Sequence, residues 1–338
     1  MNKNKNTIHE VAILGATGTV GQKAIALLAC EGRFKITQLV ASEGRCGQRY
    51  GDAVDWREPL CTLDPRVADL RLIGFNEVTA PFVISALPTG VAFIEEPKLA
   101  QRGLHVFSNA SAFRMEPSTP LLIPQINLAH LKLIERQKTP GKIVTNPNCA
   151  TVFLSCGLAP LLKLGTLEHL SVVTLQSTSG AGYPGVSSMD ILGNLIPYIQ
   201  DEEEKIAEET KRILGTLDAG AQFSITTHVH RVPVLYGHTI AMHLYYREAV
   251  SVESAREQFD EWNKIYPGFY VIHEDNRRPQ PLRDVTHDDH RVHIGRLKIG
   301  DKPNILGLIA MGNNLVLGAA GAAIANMKAF LTEREGSR

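Results

Sequence analysis

Short apolar runs, separated by segments with helical spacing, occupy the first part of the chain. Runs of the length and composition of buried strands lie at residues 11–14, 35–41, 82–88 and 105–109. Between them, apolar residues recur with helical periodicity at residues 22–30 and 91–102, which predicts helices there. Strands that alternate with helices in this way predict an α/β domain built on a parallel sheet.

From residue 149 onwards the pattern changes. Helices are predicted at residues 150–163, 201–214, 252–266 and 312–332, and strands at residues 170–176 and 305–311. The tract 284–293 is rich in His and Asp and predicts an exposed loop whose histidines are solvated rather than bound to a metal. A second domain of different character is therefore expected.

The composition limits the class of protein. The 338 residues suit two domains or one large one. Lys plus Arg and Asp plus Glu balance at 35 each, so no nucleic-acid or membrane-surface partner is indicated. Five cysteines without a C-x-x-C pair favour a reducing compartment. With a polar start and no apolar run long enough to span a bilayer, the chain is expected to be cytoplasmic.

Three glycines, Gly15, Gly18 and Gly21, lie between the first predicted strand and the first predicted helix. Gly15 permits a tight turn, Gly18 lets the backbone approach a pyrophosphate, and Gly21 lets the helix pack on the strand. The spacing is G-x-x-G-x-x-G rather than G-x-G-x-x-G. Its position after a strand and before a helix nevertheless predicts a dinucleotide cofactor.

Ser42, Glu43 and Arg45 follow the second predicted strand, where the adenosine ribose of a dinucleotide usually meets the protein. An NAD site would place an acid there for the ribose hydroxyls, whereas Ser42 and Arg45 suit a 2′-phosphate. These residues favour NADP, and Glu43 leaves NAD open.

The strongest candidate chemistry lies in residues 145–151. Pro147 restricts the backbone and Asn148 is a good helix N-cap, so Cys149 is placed at the N-terminus of the predicted helix. The helix dipole and the free N–H groups at such an end favour a thiolate, and they can stabilise an oxyanion on a carbon bonded to the sulfur. A buried structural cysteine is the alternative, which the flanking Asn-Pro-Asn turn disfavours.

The segment Asn-Pro-Asn-Cys-Ala-Thr at residues 146–151 resembles the surroundings of the catalytic cysteine in aspartate-semialdehyde dehydrogenases of the archaeal and fungal branch. The resemblance runs from Val11 to about Leu331. The related N-acetyl-glutamyl-phosphate reductases have Asn-Pro-Gly-Cys instead. The resemblance implies an N-terminal Rossmann-like dinucleotide-binding domain at residues 1–148 plus 314–338. It also implies an α+β catalytic and dimerisation domain of the glyceraldehyde-3-phosphate-dehydrogenase-like type at residues 149–313.

The same resemblance implies the roles of individual side chains. Cys149 would be the nucleophile, His238 the general acid/base, and Gln176 the residue that orients the substrate. An imidazole suits its role because its pKa lies near working pH. The implied substrate- and phosphate-binding residues are Arg114 and Lys205 for phosphate, Glu202 for the substrate amino group, and Arg231 for its carboxylate. The implied cofactor-binding residues are Gly15, Thr17, Gly18, Thr19, Val20, Ser42, Arg45, Ser85, Leu87, Asn109, Gly180 and Asn314.

The chain departs from the family pattern near these residues. Gly44 takes the place of an arginine, which bears on NADP preference. Gln125 replaces a glutamate and removes a negative charge near the site. Val229 and His230 stand where the family commonly has Cys-Asn, close to the expected substrate pocket.

The implied activity is the NADP-dependent reductive dephosphorylation of L-aspartyl 4-phosphate to L-aspartate 4-semialdehyde through a cysteine thioester. This reaction serves lysine, threonine and methionine biosynthesis. A reductase of a CoA thioester such as malonyl-CoA is an alternative that the Val229-His230 departure keeps open. A non-catalytic nucleotide-binding protein on the same fold is a further alternative, which the intact candidate residues disfavour.

The sequence also indicates which partners and metals to expect. The resemblance implies a homodimer or homotetramer that takes a small-molecule substrate and inorganic phosphate. His228 and His230 form a His-x-His pair that could ligate zinc, but no third ligand of convincing spacing is nearby, so no metal is expected.

Overall fold

The structure, a computed structural model, describes residues 7–274 and 277–336. Residues 1–6 and 337–338, which the sequence assigns to the cofactor domain, lie outside the described residues. The chain divides into two compact units. The first unit comprises Met1–Pro124, Leu128–Asn146 and Ala319–Arg338, and the second comprises Gln125–Asn127 and Pro147–Gly318.

The strands and α-helices that begin before residue 146 have the following bounds. The strands are β1 (His9–Leu14), β2 (Phe34–Val40), β3 (Leu72–Ile73), β4 (Phe82–Ser85), β5 (His105–Ser108) and β6 (Ile143–Thr145). The helices are α1 (Thr19–Ala29), α2 (Tyr50–Ala53), α3 (Pro65–Ala68), α4 (Thr89–Gln101) and α5 (Pro124–Asn127).

The remaining elements follow in chain order. The helices are α6 (Cys149–Leu158), α7 (Ser188–Ile191), α8 (Glu202–Ile213), α9 (Val252–Ile265), α10 (Pro281–Asp284) and α11 (Gly321–Gly336). The strands are β7 (Leu167–Gln176), β8 (Ser224–Arg231), β9 (His238–Tyr246), β10 (Tyr270–Ile272), β11 (Val292–Ile299) and β12 (Ile305–Gly312).

The first unit is built on a six-stranded parallel sheet in the order β3-β2-β1-β4-β5-β6. Its central strands are apolar runs, and all four residues of 11–14 in β1 are fully buried. The chain returns at α11, which packs against β4 and β5. The strand order reverses between β1 and β4, and ligands of such sheets bind at the carboxyl ends of the strands at that point.

The second unit contains a six-stranded mixed sheet in the order β10-β11-β12-β9-β7-β8. In this sheet β9 pairs antiparallel with both β12 and β7, whereas β7 and β8 pair parallel. Helix α6 lies on this sheet against β9 and β12. An added Cβ at Gly157 would lie 2.9 Å from Met242 and Ala310, so a glycine is required for this approach.

Two predicted helices have different bounds in the structure. The helix predicted at 150–163 ends at Leu158 and continues as a 3₁₀ turn, Ala159–Lys163, because Pro160 cannot donate a helical hydrogen bond. The helix predicted at 312–332 starts later. Gly312 ends β12, Val316–Ala320 is a π-helical turn, and α11 begins at Gly321.

The prediction of a solvated His-rich loop at 284–293 is wrong for its last part. Asp289 and His293 are each 3% exposed, and His293 lies in β11. The His293 ring donates to Asp289 over 2.7 Å, and His273 lies 3.1 Å away on its other side. Burial raises the pKa of Asp289, but the bonds from His293 and Arg291 outweigh it and lower that pKa to about 2. The local pattern does not show the contact with His273, 20 residues away, which together with Asp289 makes His293 a core residue.

Within the described residues, no helix is both long and apolar enough to cross a membrane.

A buried carboxyl lies beneath the carboxyl end of the first sheet. Glu96 on α4 is 0% exposed and accepts a bond of 2.6 Å from the hydroxyl of Ser108, the last residue of β5. Burial raises the pKa of Glu96 from 4.5 to about 7. Folding therefore favours its protonated form.

Replacing Glu96 with Gln is expected to make stability less sensitive to alkaline pH. Since the folded pKa of about 7 lies above the ordinary carboxyl value of 4.5, the wild type loses stability as pH rises through that window. The loss amounts to about 3 kcal/mol. Urea unfolding of both proteins at pH 5 and pH 8 measures it, and Glu96→Gln should lose less stability between the two. An equal loss in both would contradict the assignment.

Candidate active site

The turn before α6 presents Cys149 at a helix N-terminus. The side chain of Asn148 caps the helix by accepting the N–H of Ala150 over 2.8 Å. The N–H of Asn148 itself donates to the carboxylate of Glu209 on α8 over 2.7 Å. Cys149 is the first residue of α6 and is half-buried. The sequence-based prediction of an N-capped helix that begins at the cysteine is confirmed.

His238 faces the sulfur. Its Nε2 lies 3.0 Å from Cys149 Sγ, and the residue is the first of β9 and fully buried. Burial, assisted by the charge of Arg231, lowers the pKa of His238 to about 3. The ring is therefore neutral at neutral pH.

The neighbours of the ring decide which nitrogen carries the proton. The backbone N–H of Ser177 donates to His238 Nδ1 over 3.1 Å. The N–H of Gly237 donates to Asn314 over 3.0 Å, which identifies that atom as the amide oxygen. Ser177 Oγ lies 2.9 Å from the same oxygen and gives it its single proton. Nδ1 is consequently an acceptor, so the neutral ring carries its proton on Nε2, towards the sulfur.

The ends of two neighbouring strands border this pair. Gln176 ends β7, Arg231 ends β8, and the two residues are paired in register. Gln176 is fully buried and donates to Glu202 on α8 over 2.6 Å. In the described part of the chain its Oε1 has no hydrogen-bond partner. Arg231 is 6% exposed and donates to the carbonyl of Ser177 over 2.9 Å. A cation and an open acceptor thus lie side by side at the ends of β8 and β7.

Gly180 and Gly318 pack closely against His238 and Cys149, respectively. A Cβ added at Gly180 would lie 3.0 Å from the Arg231 guanidinium and 3.2 Å from the His238 ring. A Cβ added at Gly318 would lie 2.8 Å from Cys149 Cβ. Any larger side chain at either position would displace a residue of the site.

Lys205 lies one turn along α8 from Glu202, but its side chain is exposed. Its ammonium group lies 3.6 Å from Asp201, whose own side chain is 63% exposed. An exposed pair of this kind contributes little to stability. The lysine is therefore available to exchange this carboxylate for another anion.

In the first unit the glycine turn leads into α1. Gly15 has a φ of 72°, and an added Cβ would lie 2.6 Å from the carbonyl oxygen of Ala86. An added Cβ at Gly21 would lie 2.3 Å from the carbonyl oxygen of Gly15. Gly18 is exposed, precedes α1 and provides no side-chain cap. The first N–H groups of α1, beside Thr17, Thr19 and Val20, form an N-terminus suited to a phosphate group.

The carboxyl ends of β4 and β5 carry the next predicted residues. Asn109 donates to the carbonyl of Ser85 over 2.8 Å and accepts from Asn146 over 3.1 Å. Arg114 is 8% exposed and donates to the carbonyl of Asn109 over 2.7 Å. Ser85 is buried, and Leu87 is half-buried. These bonds fix the strand ends where the parallel sheet would bind a ligand.

Ser42, Glu43 and Arg45 lie exposed directly after β2. The Arg45 guanidinium is 3.3 Å from the carbonyl oxygen of Ala53, a long contact that a phosphate could replace. The geometry leaves both Arg45 and Glu43 accessible.

Comparisons with known proteins place the chain in a family. Residues 10–134 match the NAD binding domain of semialdehyde dehydrogenases, and residues 158–317 match their dimerisation domain. An aspartate-semialdehyde dehydrogenase of Archaeoglobus fulgidus is 41% identical, with 96% of this chain and 99% of the relative covered. One of Methanothermobacter thermautotrophicus is 40% identical over 94% and 97% of the two chains.

The chain belongs to the aspartate-semialdehyde dehydrogenase family.

A solved structure agrees with this result. The crystal structure of the Candida albicans aspartate-semialdehyde dehydrogenase with NADP superposes with a TM-score of 0.86 at 31% identity, covering 96% of this chain and 98% of that one. The resemblance inferred from the Asn-Pro-Asn-Cys segment is confirmed, and so is the predicted α/β fold class with a dinucleotide-binding sheet and a second, mixed sheet.

For a member of the aspartate-semialdehyde dehydrogenase family, the second unit gathers the predicted residues in one place. Those that it brings together are Cys149, Gln176, Glu202, Arg231, His238 and, around the ring, Gly180 and Asn314. The predicted residues of the first unit lie on the glycine turn and the strand ends. Asn314, expected near the nicotinamide, is 1% exposed and bonded to Ser177, Ser179 and Gly237.

Two residues that hold the site were missed from the sequence. Ser177 follows Gln176 directly, and its importance lies in a backbone N–H that no sequence motif marks. Glu209 lies two helical turns beyond Glu202 on α8, and this spacing was the available signal.

The alternative of a zinc site at His228 and His230 gains no support. Residues 7–274 and 277–336 contain no group of three or more side chains placed to hold a metal ion. The His228 side chain is 70% exposed and lies 3.7 Å from Glu203.

The reactivity of Cys149 provides a test of this geometry. At neutral pH iodoacetamide should alkylate Cys149 at least about tenfold faster than Cys30, Cys46 or Cys61, because the helix N-terminus and the Nε2–H favour its thiolate. Burial raises the pKa of the Cys156 thiol, so this residue should stay unlabelled. Peptide mass spectrometry after timed labelling measures all five.

His238→Ala should slow the labelling of Cys149 and leave the exposed Cys30 and Cys46 unchanged. Equal labelling of Cys149 in both proteins would show that the 3.0 Å contact has no effect on the sulfur.

Proposed function

We propose that this protein catalyses the NADP-dependent interconversion of L-aspartyl 4-phosphate and L-aspartate 4-semialdehyde through a thioester on Cys149. The observation that carries the proposal is the 3.0 Å approach of His238 Nε2 to Cys149 Sγ at the N-terminus of α6. The names of the relatives and their identities of 40–41% support the same substrate. The reaction belongs to the biosynthesis of lysine, threonine and methionine.

The first step is acyl transfer to sulfur. The Cys149 thiolate forms a bond to the acyl carbon of the substrate, and the bond from that carbon to the phosphate oxygen breaks. The carbonyl oxygen becomes an oxyanion in between, and the N–H groups of α6 and the His238 Nε2–H can donate to it. Phosphate leaves with the electron pair and takes up a proton from water, leaving a thioester.

The second step is reduction. NADPH, when bound, supplies the hydride that reduces the thioester carbonyl. His238 Nε2–H stabilises the oxyanion that results, and collapse of this oxyanion expels the Cys149 thiolate and gives the aldehyde. A neutral ring with its proton on Nε2 suits hydrogen-bond donation to this oxyanion, and the acid/base role that the family resemblance implies for His238 stays a prediction.

The residues of the first unit fit the cofactor. Gly15, with its φ of 72°, and the uncapped N-terminus of α1 provide a turn and N–H donors for a pyrophosphate. Ser42 and Arg45 are proposed to hold the 2′-phosphate of NADP, and the exposed Glu43 leaves use of NAD open. The remaining proposed cofactor contacts are Thr17, Gly18, Thr19, Val20, Ser85, Leu87, Asn109, Gly180 and Asn314.

Substrate recognition is assigned mainly to side chains whose charge is opposite to that of the substrate group they bind. Arg231 is proposed to bind the substrate carboxylate in a bidentate manner, and Glu202 its amino group. The open Oε1 of Gln176 can accept a further substrate N–H. Arg114 and Lys205 are proposed as phosphate ligands. No residue in this scheme requires a metal.

We infer a homo-oligomer, with a dimer as the smallest form. Residues 158–317 match a dimerisation domain. The same region exposes large apolar side chains, among them Tyr183 at 65%, Met189 at 89% and Leu192 at 74%. Exposed apolar side chains in one segment are typical of a surface that another chain covers. A cytoplasmic location accords with five cysteines of which none forms a disulfide bond within residues 7–274 and 277–336.

An assay of NADPH formation tests the proposed reaction. Aspartate semialdehyde and NADP⁺ should give NADPH only when inorganic phosphate is present. Cys149→Ser should lower the rate by at least about 10⁴-fold because the weaker nucleophile forms no thioester. Absorbance of NADPH measures both, and circular dichroism of the variant serves as the folding control.

The same assay separates the alternatives. NADPH oxidation by malonyl-CoA without turnover of aspartate semialdehyde would replace the proposal with a CoA-thioester reductase. NADP binding without turnover of either substrate would favour a non-catalytic nucleotide-binding protein.

A further inference from the structure

Three carboxylates of α8 each hold a different piece of the site. Glu202, its first residue, accepts from the amide of Gln176 over 2.6 Å. Glu203 accepts the N–H of Val229 on β8 over 3.1 Å. Glu209, two turns further on, accepts the N–H of Asn148 over 2.7 Å. One helix therefore spans the distance from the proposed substrate-binding residue to the turn that carries the nucleophile.

The Glu209 contact is the least expected of the three. This side chain is 2% exposed, and an acid is buried only where its environment compensates the loss of hydration. Its hydrogen-bonded N–H belongs to the residue directly before Cys149. A carboxylate beside this N–H disfavours a thiolate on Cys149, whereas the N-terminus of α6 favours one.

These opposing effects on the Cys149 thiolate bear on its reactivity. Thiolates become weaker nucleophiles as their pKa falls, and a thiol whose pKa lies near the working pH attacks fastest. Around Cys149 the groups that favour the thiolate are the N-terminus of α6, the His238 Nε2–H on β9 and the Arg231 cation on β8. On α8, Glu209 and Glu202 carry the opposite charge.

We propose that Glu209 is a positioning residue that ties the Cys149 turn to α8 and whose negative charge keeps the Cys149 thiolate strongly nucleophilic. The catalytic part of this inference rests on the proposed function, whereas its effect on the thiol does not. Glu209 acts through the backbone of Asn148 and through its charge, without touching the substrate.

Two substitutions separate the bond from the charge. Glu209→Gln keeps an oxygen acceptor for the Asn148 N–H and removes the charge, and Glu209→Leu removes both. Glu208→Gln is the matched control, because Glu208 is the adjacent residue of α8 and its side chain is exposed. All three side chains are close in size to the glutamate they replace.

The rate of Cys149 alkylation by iodoacetamide as a function of pH is the first measurement, and it requires no substrate. In Glu209→Gln the midpoint of the profile should fall by about one pH unit, as expected for loss of one nearby charge. The plateau rate at high pH should fall about threefold, because the more stable thiolate is less nucleophilic. Glu208→Gln should match the wild type.

The second measurement is NADPH formation from aspartate semialdehyde and phosphate. Glu209→Gln should lower kcat about threefold with KM unchanged. Glu209→Leu should lower kcat at least tenfold further, because the Cys149 turn loses its attachment to α8. If Glu209→Leu does not fold, the Glu209→Gln profile alone decides the role of the charge.

Distinct outcomes overturn the inference. An unchanged alkylation midpoint in Glu209→Gln would refute the role of the charge. A kcat of Glu209→Leu equal to that of Glu209→Gln would refute the role of the bond. If the wild type does not turn over aspartate semialdehyde but the alkylation profile shifts as expected, the proposed function fails while the effect of Glu209 on the thiol stands.

Discussion

The packing of α6 on the mixed sheet of the second unit sets the distance between the sulfur of Cys149 and the ring of His238. Glycines make this approach possible at several points. Gly157 allows α6 to lie against β9 and β12, and a Cβ added at Gly312 would lie 2.3 Å from the ring of Phe153. Since a side chain at either point would lift the helix off the sheet, the alignment of nucleophile and imidazole depends on residues that carry no chemistry themselves.

The electrostatics of the site depend on this packing too. His238 is fully buried because α6 and the loop after β7 cover it, and burial is the main cause of its low pKa. The neutral ring lies against the sulfur, the cation of Arg231 acts on the ring, and Glu209 accepts the N–H of the residue before Cys149. His238, Arg231 and Glu209 are each bonded to a backbone group: the Ser177 N–H, the Ser177 carbonyl and the Asn148 N–H, respectively. Backbone contacts of this kind fix geometry more firmly than bonds between flexible side chains.

Local sequence patterns predicted the parts of the fold that depend on local physics. The turn of Gly15, the cap of Asn148 and the first residue of α6 agree with the structure because each depends on backbone conformation within a few residues. The end of β7 at Gln176 was also predicted correctly. The residues that were missed or misjudged depend on contacts distant in sequence. His293 contacts His273, 20 residues away, and Ser177 reaches His238 from 61 residues away.

The fixed proton on His238 Nε2 has a consequence for how the site exchanges protons with solvent. In the proposed reaction the ring donates a hydrogen bond to sulfur at rest and to oxygen during the reaction, so it starts and finishes each turnover in the same state. In that scheme the departing phosphate takes up, from bulk water, the proton that the overall reduction consumes. The buried imidazole thus needs no relay of waters or side chains to exchange protons with solvent, and the site can remain closed around it.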